Sequence, residues 1–195
     1  DPLNRYYAYG IRNSFGIGFD ALTGNLWETE NGRSTDDEIN LVLPGFNSGW
    51  REVIGLSSMT PKFNKENLED FGGKGTYRDP EFIWRDTIAP TSVLFVHTDK
   101  LGSKYKDNLF VGSVKNGTVF NFSLDDTRTH LVLTGPLSDK KADTNTNQET
   151  GDVIFGRNFG VITDLQIGPD GNLYILSNYK HDGTIFKITA KNNTN

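Results

Sequence analysis

One short pattern occurs three times in this chain. Thr23-Gly24-Asn25-Leu26-Trp27-Glu28-Thr29-Glu30-Asn31 is the first copy, Lys106-Asp107-Asn108-Leu109-Phe110-Val111-Gly112-Ser113 the second, and Pro169-Asp170-Gly171-Asn172-Leu173-Tyr174-Ile175-Leu176-Ser177-Asn178 the third. Each places a Gly/Asn/Asp turn before a Leu-aromatic pair and a short strand. Such turn residues tolerate positive φ, and the strand that follows buries alternate side chains. A second element follows the last two copies. Asn116-Gly117-Thr118-Val119-Phe120-Asn121-Phe122-Ser123-Leu124 matches Asp182-Gly183-Thr184-Ile185-Phe186-Lys187-Ile188-Thr189, and Asp37-Glu38-Ile39-Asn40-Leu41-Val42 is its degenerate form in the first unit. Strands are also expected before each copy, at 16–19, 91–97 and 162–167.

Each unit therefore reads strand, tight turn, strand, Gly turn, strand. Meanders repeated in this way stack as blades, and the fold class expected is all-β, a partial β-propeller over residues 1–195. Units fall at about 1–55, 87–137 and 155–190. Long polar loops at 57–79 and 138–158 separate them. One short helical turn is expected at 64–70. Closed propellers take four to eight blades of roughly 40–50 residues, so 195 residues with large loops hold three to four. The open edges of such a piece favour pairing, including a homodimer of two copies.

The chain carries 13 Phe, 7 Tyr, 3 Trp and 21 Gly, which suits strands and tight turns. Its net charge of −5 argues against a nucleic-acid surface. There is no Cys, which excludes disulfides, thiolate metal sites and Cys nucleophiles. No apolar run reaches the roughly 18 residues of a membrane span. Sequons stand at Asn116, Asn121 and Asn192.

The densest polar chemistry lies between Tyr9 and Trp50. It reads Tyr9-Gly10-Ile11-Arg12-Asn13, Gly16, Asp20, Thr23-Gly24, Leu26-Trp27, Thr29-Glu30-Asn31-Gly32, Asp37-Glu38-Ile39-Asn40-Leu41 and Gly45-Phe46-Asn47-Ser48-Gly49-Trp50. This block resembles the pyrroloquinoline-quinone (PQQ) dependent sugar dehydrogenases, the soluble glucose and sorbosone dehydrogenase group. Ile88-Ala89-Pro90-Thr91-Ser92, Gly112-Ser113-Val114-Lys115-Asn116-Gly117 and Thr163-Asp164-Leu165-Gln166-Ile167-Gly168-Pro169-Asp170-Gly171 extend the likeness along the chain. The resemblance implies a six-bladed propeller, of which this chain is about the C-terminal half. It also implies oxidation of an aldose sugar with PQQ and calcium, in the periplasm or outside the cell.

Residue by residue, the resemblance assigns Arg12 and Asn13 to the quinone. A guanidinium offers a fixed fork of donors to carboxylates, and a carboxamide N–H suits an oxygen that gains negative charge. Asn31, Asp37, Thr87 and Lys115 join them as cofactor-binding residues. The backbone carbonyls of Gly32 and Arg33 stand where the family binds Ca²⁺, in place of its Gly-Pro step. Carbonyl ligands do not depend on side-chain identity.

Two departures accompany the match. The family pattern Arg-x-Arg-Asp, whose arginines clamp the cofactor carboxylates, reads here Val161-Ile162-Thr163-Asp164. Carboxylates desolvated without counter-charges are costly. The family's general-base His has no counterpart here, because His97, His130 and His181 do not fit its motif, so no catalytic residue is assigned and the base is expected upstream. Arg157 is near the lost pair, with nothing in the sequence aiming it there. A non-catalytic sugar- or protein-binding propeller therefore stands beside the dehydrogenase reading. A calcium-dependent lactonase is a third class, with no carboxylate and His arrangement to support it.

Overall fold

The computed structural model describes residues 2–190. The 192–194 sequon lies outside the described residues. Three antiparallel units are arranged side by side. The first has Ser14–Phe19 as its inner strand, followed outward by Leu26–Glu30, Asp37–Val42 and Phe82–Trp84. Lys141–Ala142 adds a short parallel edge to the last of these. The second runs Pro90–Phe95, Leu109–Ser113, Val119–Phe122 and Ile154–Gly156. The third runs Val161–Ile167, Leu173–Tyr179 and Asp182–Ile188. A small parallel sheet of Ala8–Tyr9, Phe46–Asn47 and Thr76–Tyr77 flanks the first unit.

The three repeated strands thus take equivalent places, second in each unit. The fourth strands of the first two units, Phe82–Trp84 and Ile154–Gly156, lie beyond the expected limits of 55 and 137. Both are three residues long and follow long loops, so no repeat marks them. Within the first loop, Lys65–Asn67 forms a 3₁₀ turn whose Asn64 side chain accepts from Glu66 N at 3.1 Å.

The middle unit is covered on both faces, and its sequence reflects that. Leu109 and Val111 join Trp27, Ile39, Leu41, Phe82, Trp84, Phe120 and Phe122 in the core shared with the first unit. Phe110 and Val119 point the other way, onto Ile162, Leu165, Leu173 and Ile175 of the third. A strand buried on both faces reads as a continuous apolar run. The third unit keeps a clean alternation instead, with Leu173, Ile175 and Ser177 buried and Leu176 exposed.

Glycine sets the spacing of the inner strands. A Cβ on Gly16 would lie 2.0 Å from the Thr91 carbonyl oxygen, and one on Gly18 would lie 2.9 Å from Val93. The backbones of the first two inner strands meet there with no room for a side chain. The opposite edge of the same strand shows Phe15, Ile17 and Phe19 to solvent, each between 62% and 64% exposed.

Candidate functional site

The strand order brings two loops of each unit to the same end of the stack. One enters the inner strand, and the other joins the second strand to the third. In the first unit these are the Arg12–Asn13 approach and the 31–36 turn. In the second they are 87–89 and 114–118. The sequence-selected residues all lie on these loops or at their junctions with the strands.

Arg12 is half-buried and turned inward. Its Nη1 donates to the Asn31 carbonyl at 2.6 Å and to the Gly32 carbonyl at 3.3 Å. The guanidinium carbon lies 5.4 Å from the Trp50 ring centre, and the Arg12 backbone N–H donates to Glu30 Oε1 at 2.7 Å. Asn13 is exposed, and its carbonyl accepts from Asn31 N at 2.9 Å. Asn31 Nδ2 donates to the Pro90 carbonyl at 3.0 Å, so this side chain ties the first unit to the second.

Asp37 is 1% exposed and fully engaged with backbone. Its Oδ1 accepts from Gly32 N at 2.9 Å, and its Oδ2 accepts from Ile88 N at 2.7 Å and Ala89 N at 2.8 Å. Burial raises its pKa, while those N–H groups and the nearby Lys115 charge pull it back down. Asp37 thus fixes two rim turns against each other. Lys115 is exposed; its Nζ donates to Thr87 Oγ1, and its backbone N–H donates to the Ile88 carbonyl at 3.0 Å. The structure therefore gathers Arg12, Asn13, Thr87 and Lys115 at the rim, with Asn31 and Asp37 as the struts beneath.

The rim provides two cations, a carboxamide with no partner among the described residues, and a hydroxyl, a donor set that fits an anionic, oxygen-rich ligand such as PQQ. It fits calcium poorly. The Gly32 carbonyl already accepts a guanidinium, which places a fixed cation where a second would bind. Arg33 is exposed, and both Asp37 oxygens already accept from backbone N–H groups.

A buried carboxylate cluster beneath Arg12 escaped the sequence reading. Glu28, Glu30 and Glu38 are all at most 5% exposed. Asn40 Nδ2 donates to Glu28 Oε1 at 2.8 Å and to Glu38 Oε2 at 2.9 Å. Ser48 Oγ donates to Glu30 Oε2 at 2.9 Å, and Gly55 N to Glu38 Oε1 at 2.7 Å. Burial, with the Glu30 charge added, pushes Glu28 up to about 7 and Glu38 up to about 8. Glu28 Oε2 is buried with no hydrogen-bond partner among the described residues. The signal was present as Glu28-x-Glu30 and Glu38-x-Asn40, polar pairs at a spacing of two on strands that should bury one face.

The histidines separate by place. His97 Nδ1 lies 3.0 Å from Asp107 and His130 Nδ1 3.1 Å from Glu81. His181 alone of the three belongs to a rim loop, the hairpin of the third unit. Arg157 Nη2 donates to Asn147 Oδ1 at 3.0 Å.

Residues 2–187 match the profile of the family described as Glucose / Sorbosone dehydrogenase. The chain belongs to that family. It is 28% identical over 187 residues to the aldose sugar dehydrogenase YliI of Escherichia coli K12, covering 95% of this chain and 44% of that protein. A solved glucose dehydrogenase superposes with a TM-score of 0.68 at 24% identity, covering 95% of this chain and 47% of that one. The PQQ-bound aldose sugar dehydrogenase of Streptomyces coelicolor gives 0.62 at 18% identity, covering 94% and 45%. At those identities the structural likeness speaks for the fold. The chain spans less than half the length of these relatives. No helix among the described residues is long and apolar enough to cross a membrane.

Proposed function

We propose that this chain forms part of a six-bladed propeller that binds PQQ at the rim and oxidises an aldose. The observation that carries the reading is the convergence of Arg12, Asn13, Thr87 and Lys115 on adjacent loops of the first two units, in a member of the sugar dehydrogenase family. When bound, PQQ supplies the two-electron acceptor for the sugar. Arg12 keeps one edge of its guanidinium on the Asn31 and Gly32 carbonyls, which fixes the direction of the other edge. Asn13 offers an uncommitted N–H, and Lys115, steadied by Thr87, offers a point charge. Preset donors of this kind stabilise charge without reorganising when it appears. Calcium has no part in the reading, given the occupied carbonyl. The base that takes the sugar hydroxyl proton is not assigned. A periplasmic or extracellular setting rests on the resemblance alone.

A second reading, a propeller that binds a sugar or a protein without chemistry, is favoured by one observation. Val161 and Thr163 provide no charge where the resemblance calls for two arginines. Thr163 Oγ1 instead donates to the Leu176 carbonyl at 3.3 Å. Titration with PQQ separates the two readings. Saturable binding at micromolar concentration, weakened about tenfold by Arg12→Ala or Lys115→Ala through loss of one charge-assisted contact, supports the first. No binding at that concentration leaves the second.

A further inference from the structure

The third unit repeats the rim geometry of the first two, but carries its charge in a different place. Its entry loop is 157–160, and its second and third strands are joined by the two-residue hairpin Lys180–His181, between the paired residues Tyr179 and Asp182. With the second unit's hairpin, these loops border a shallow, open cleft of about 660 Å³. Val114 and Gly117 line it from the second unit, and Asn158, Asn178, Lys180 and His181 from the third. Phe159 N donates to the Gly117 carbonyl at 3.0 Å, which closes the junction between the units.

Three features mark this cleft. No lining residue is acidic. Lys180 and His181 have φ of 51° and 72°, so two bulky residues occupy a turn geometry that favours Asn-Gly. Non-Gly residues held at positive φ can mark a functional loop. Finally, neither the Lys180 amine nor the His181 ring forms an ion pair among the described residues, and the amine sits 5.2 Å from the Tyr179 ring centre. The Asn158 and Asn178 carboxamides add neutral donors with no side-chain partner among the described residues. The nearest carboxylate along the chain is the exposed Asp182.

We propose that this cleft is a carboxylate-binding site, with Lys180 as its charged contact and His181, Asn158 and Asn178 as its neutral donors. The hairpin then provides the counter-charge that Val161 and Thr163 do not. The carboxylate belongs either to PQQ or to a sugar acid. The first case rests on the proposed function, and the second does not.

The test uses calorimetric titration of the purified protein with PQQ, gluconate and, as a neutral control, glucose. The key variant is Lys180→Asn combined with His181→Gly, which removes the ammonium and the imidazole donor while giving the turn its preferred residues. Its Tm is expected to equal or exceed that of the unaltered protein, so any loss of binding is not a loss of fold. Losing one partly exposed charge contact and one imidazole donor should weaken binding about fivefold or more. Weaker PQQ binding in the variant assigns the site to the cofactor. Gluconate binding that the variant loses assigns it to a sugar acid, even if PQQ never binds. PQQ binding that the variant leaves intact, with no gluconate binding, overturns the site and leaves the proposed function standing. Binding of neither ligand overturns both.

Discussion

At the scale of single residues, the rim is held by groups that face away from solvent. Asp37 spends its carboxylate on three backbone N–H groups, and Glu30 holds the Arg12 amide. Beneath them, Glu28 and Glu38 titrate near neutrality because burial disfavours their charge. Their folded pKa values lie above the ordinary 4.5, so folding takes up protons. The associated stability is full below about pH 4.5 and is lost as pH rises through 7 to 8. Thermal melts are therefore expected to show Tm falling by roughly 5–10 °C between pH 6 and pH 9. Glu38→Gln should flatten that slope, because an amide fills the site without ionising. A Tm that is constant or rises over this range contradicts the raised values. Arg12, Asn13, Thr87 and Lys115 were selected from the sequence because their motifs are contiguous. Glu28 and Glu38 were not, because a polar residue in a strand reads as solvent-facing until a loop such as 46–57 is seen to cover it.

At the scale of strands and loops, the repeat was legible and its completion was not. The turn plus Leu-aromatic signal located Leu26–Glu30, Leu109–Ser113 and Leu173–Tyr179, because the local turn chemistry and the period of two agree. Phe82–Trp84 and Ile154–Gly156 gave no such signal; three residues are too few for a period, and only packing on a preformed sheet makes them strands. Contact between inner strands is the most sensitive element-level feature. Gly16→Ala puts a methyl group 2.0 Å from the Thr91 carbonyl oxygen, which forces backbone apart rather than a flexible side chain. A loss of about 2–4 kcal/mol is expected by urea denaturation. A loss below about 0.5 kcal/mol would show that the two strands separate freely. Gly24→Ala, at a turn with open space around it, is the contrasting case, limited to its positive φ.

At the scale of the whole molecule, the stack ends in two unlike faces. The first unit shows Phe15, Ile17 and Phe19, an apolar row on its inner strand, while the third shows Leu176 and Ile185 among polar neighbours. Exposed apolar rows of this kind drive association. The 195-residue chain in isolation is expected to exceed monomer mass in light scattering, increasingly so with concentration. Ile17→Lys with Phe19→Glu should shift it toward monomer without lowering Tm. A monomer at every concentration before substitution counts against this.

The sequence by itself determined the repeat, the strand-rich class, the family and the rim cations of the first two units. Each of these is written in contiguous residues, where turn propensity, side-chain period and motif spacing act locally. Only the tertiary structure decided that Asp37 is a strut, that the Gly32 carbonyl accepts from Arg12, that three glutamates are buried together, and that Lys180 and His181 border a cleft with the second unit. The Arg12 contacts and those of Asp37 with Ile88 and Ala89 join groups 18 to 52 residues apart in the chain, and all of these outcomes depend on how much water is left around the groups that meet. Burial and partner occupancy are properties of the packed chain, and they set both the charge of a carboxylate and the ligand a carbonyl can still accept.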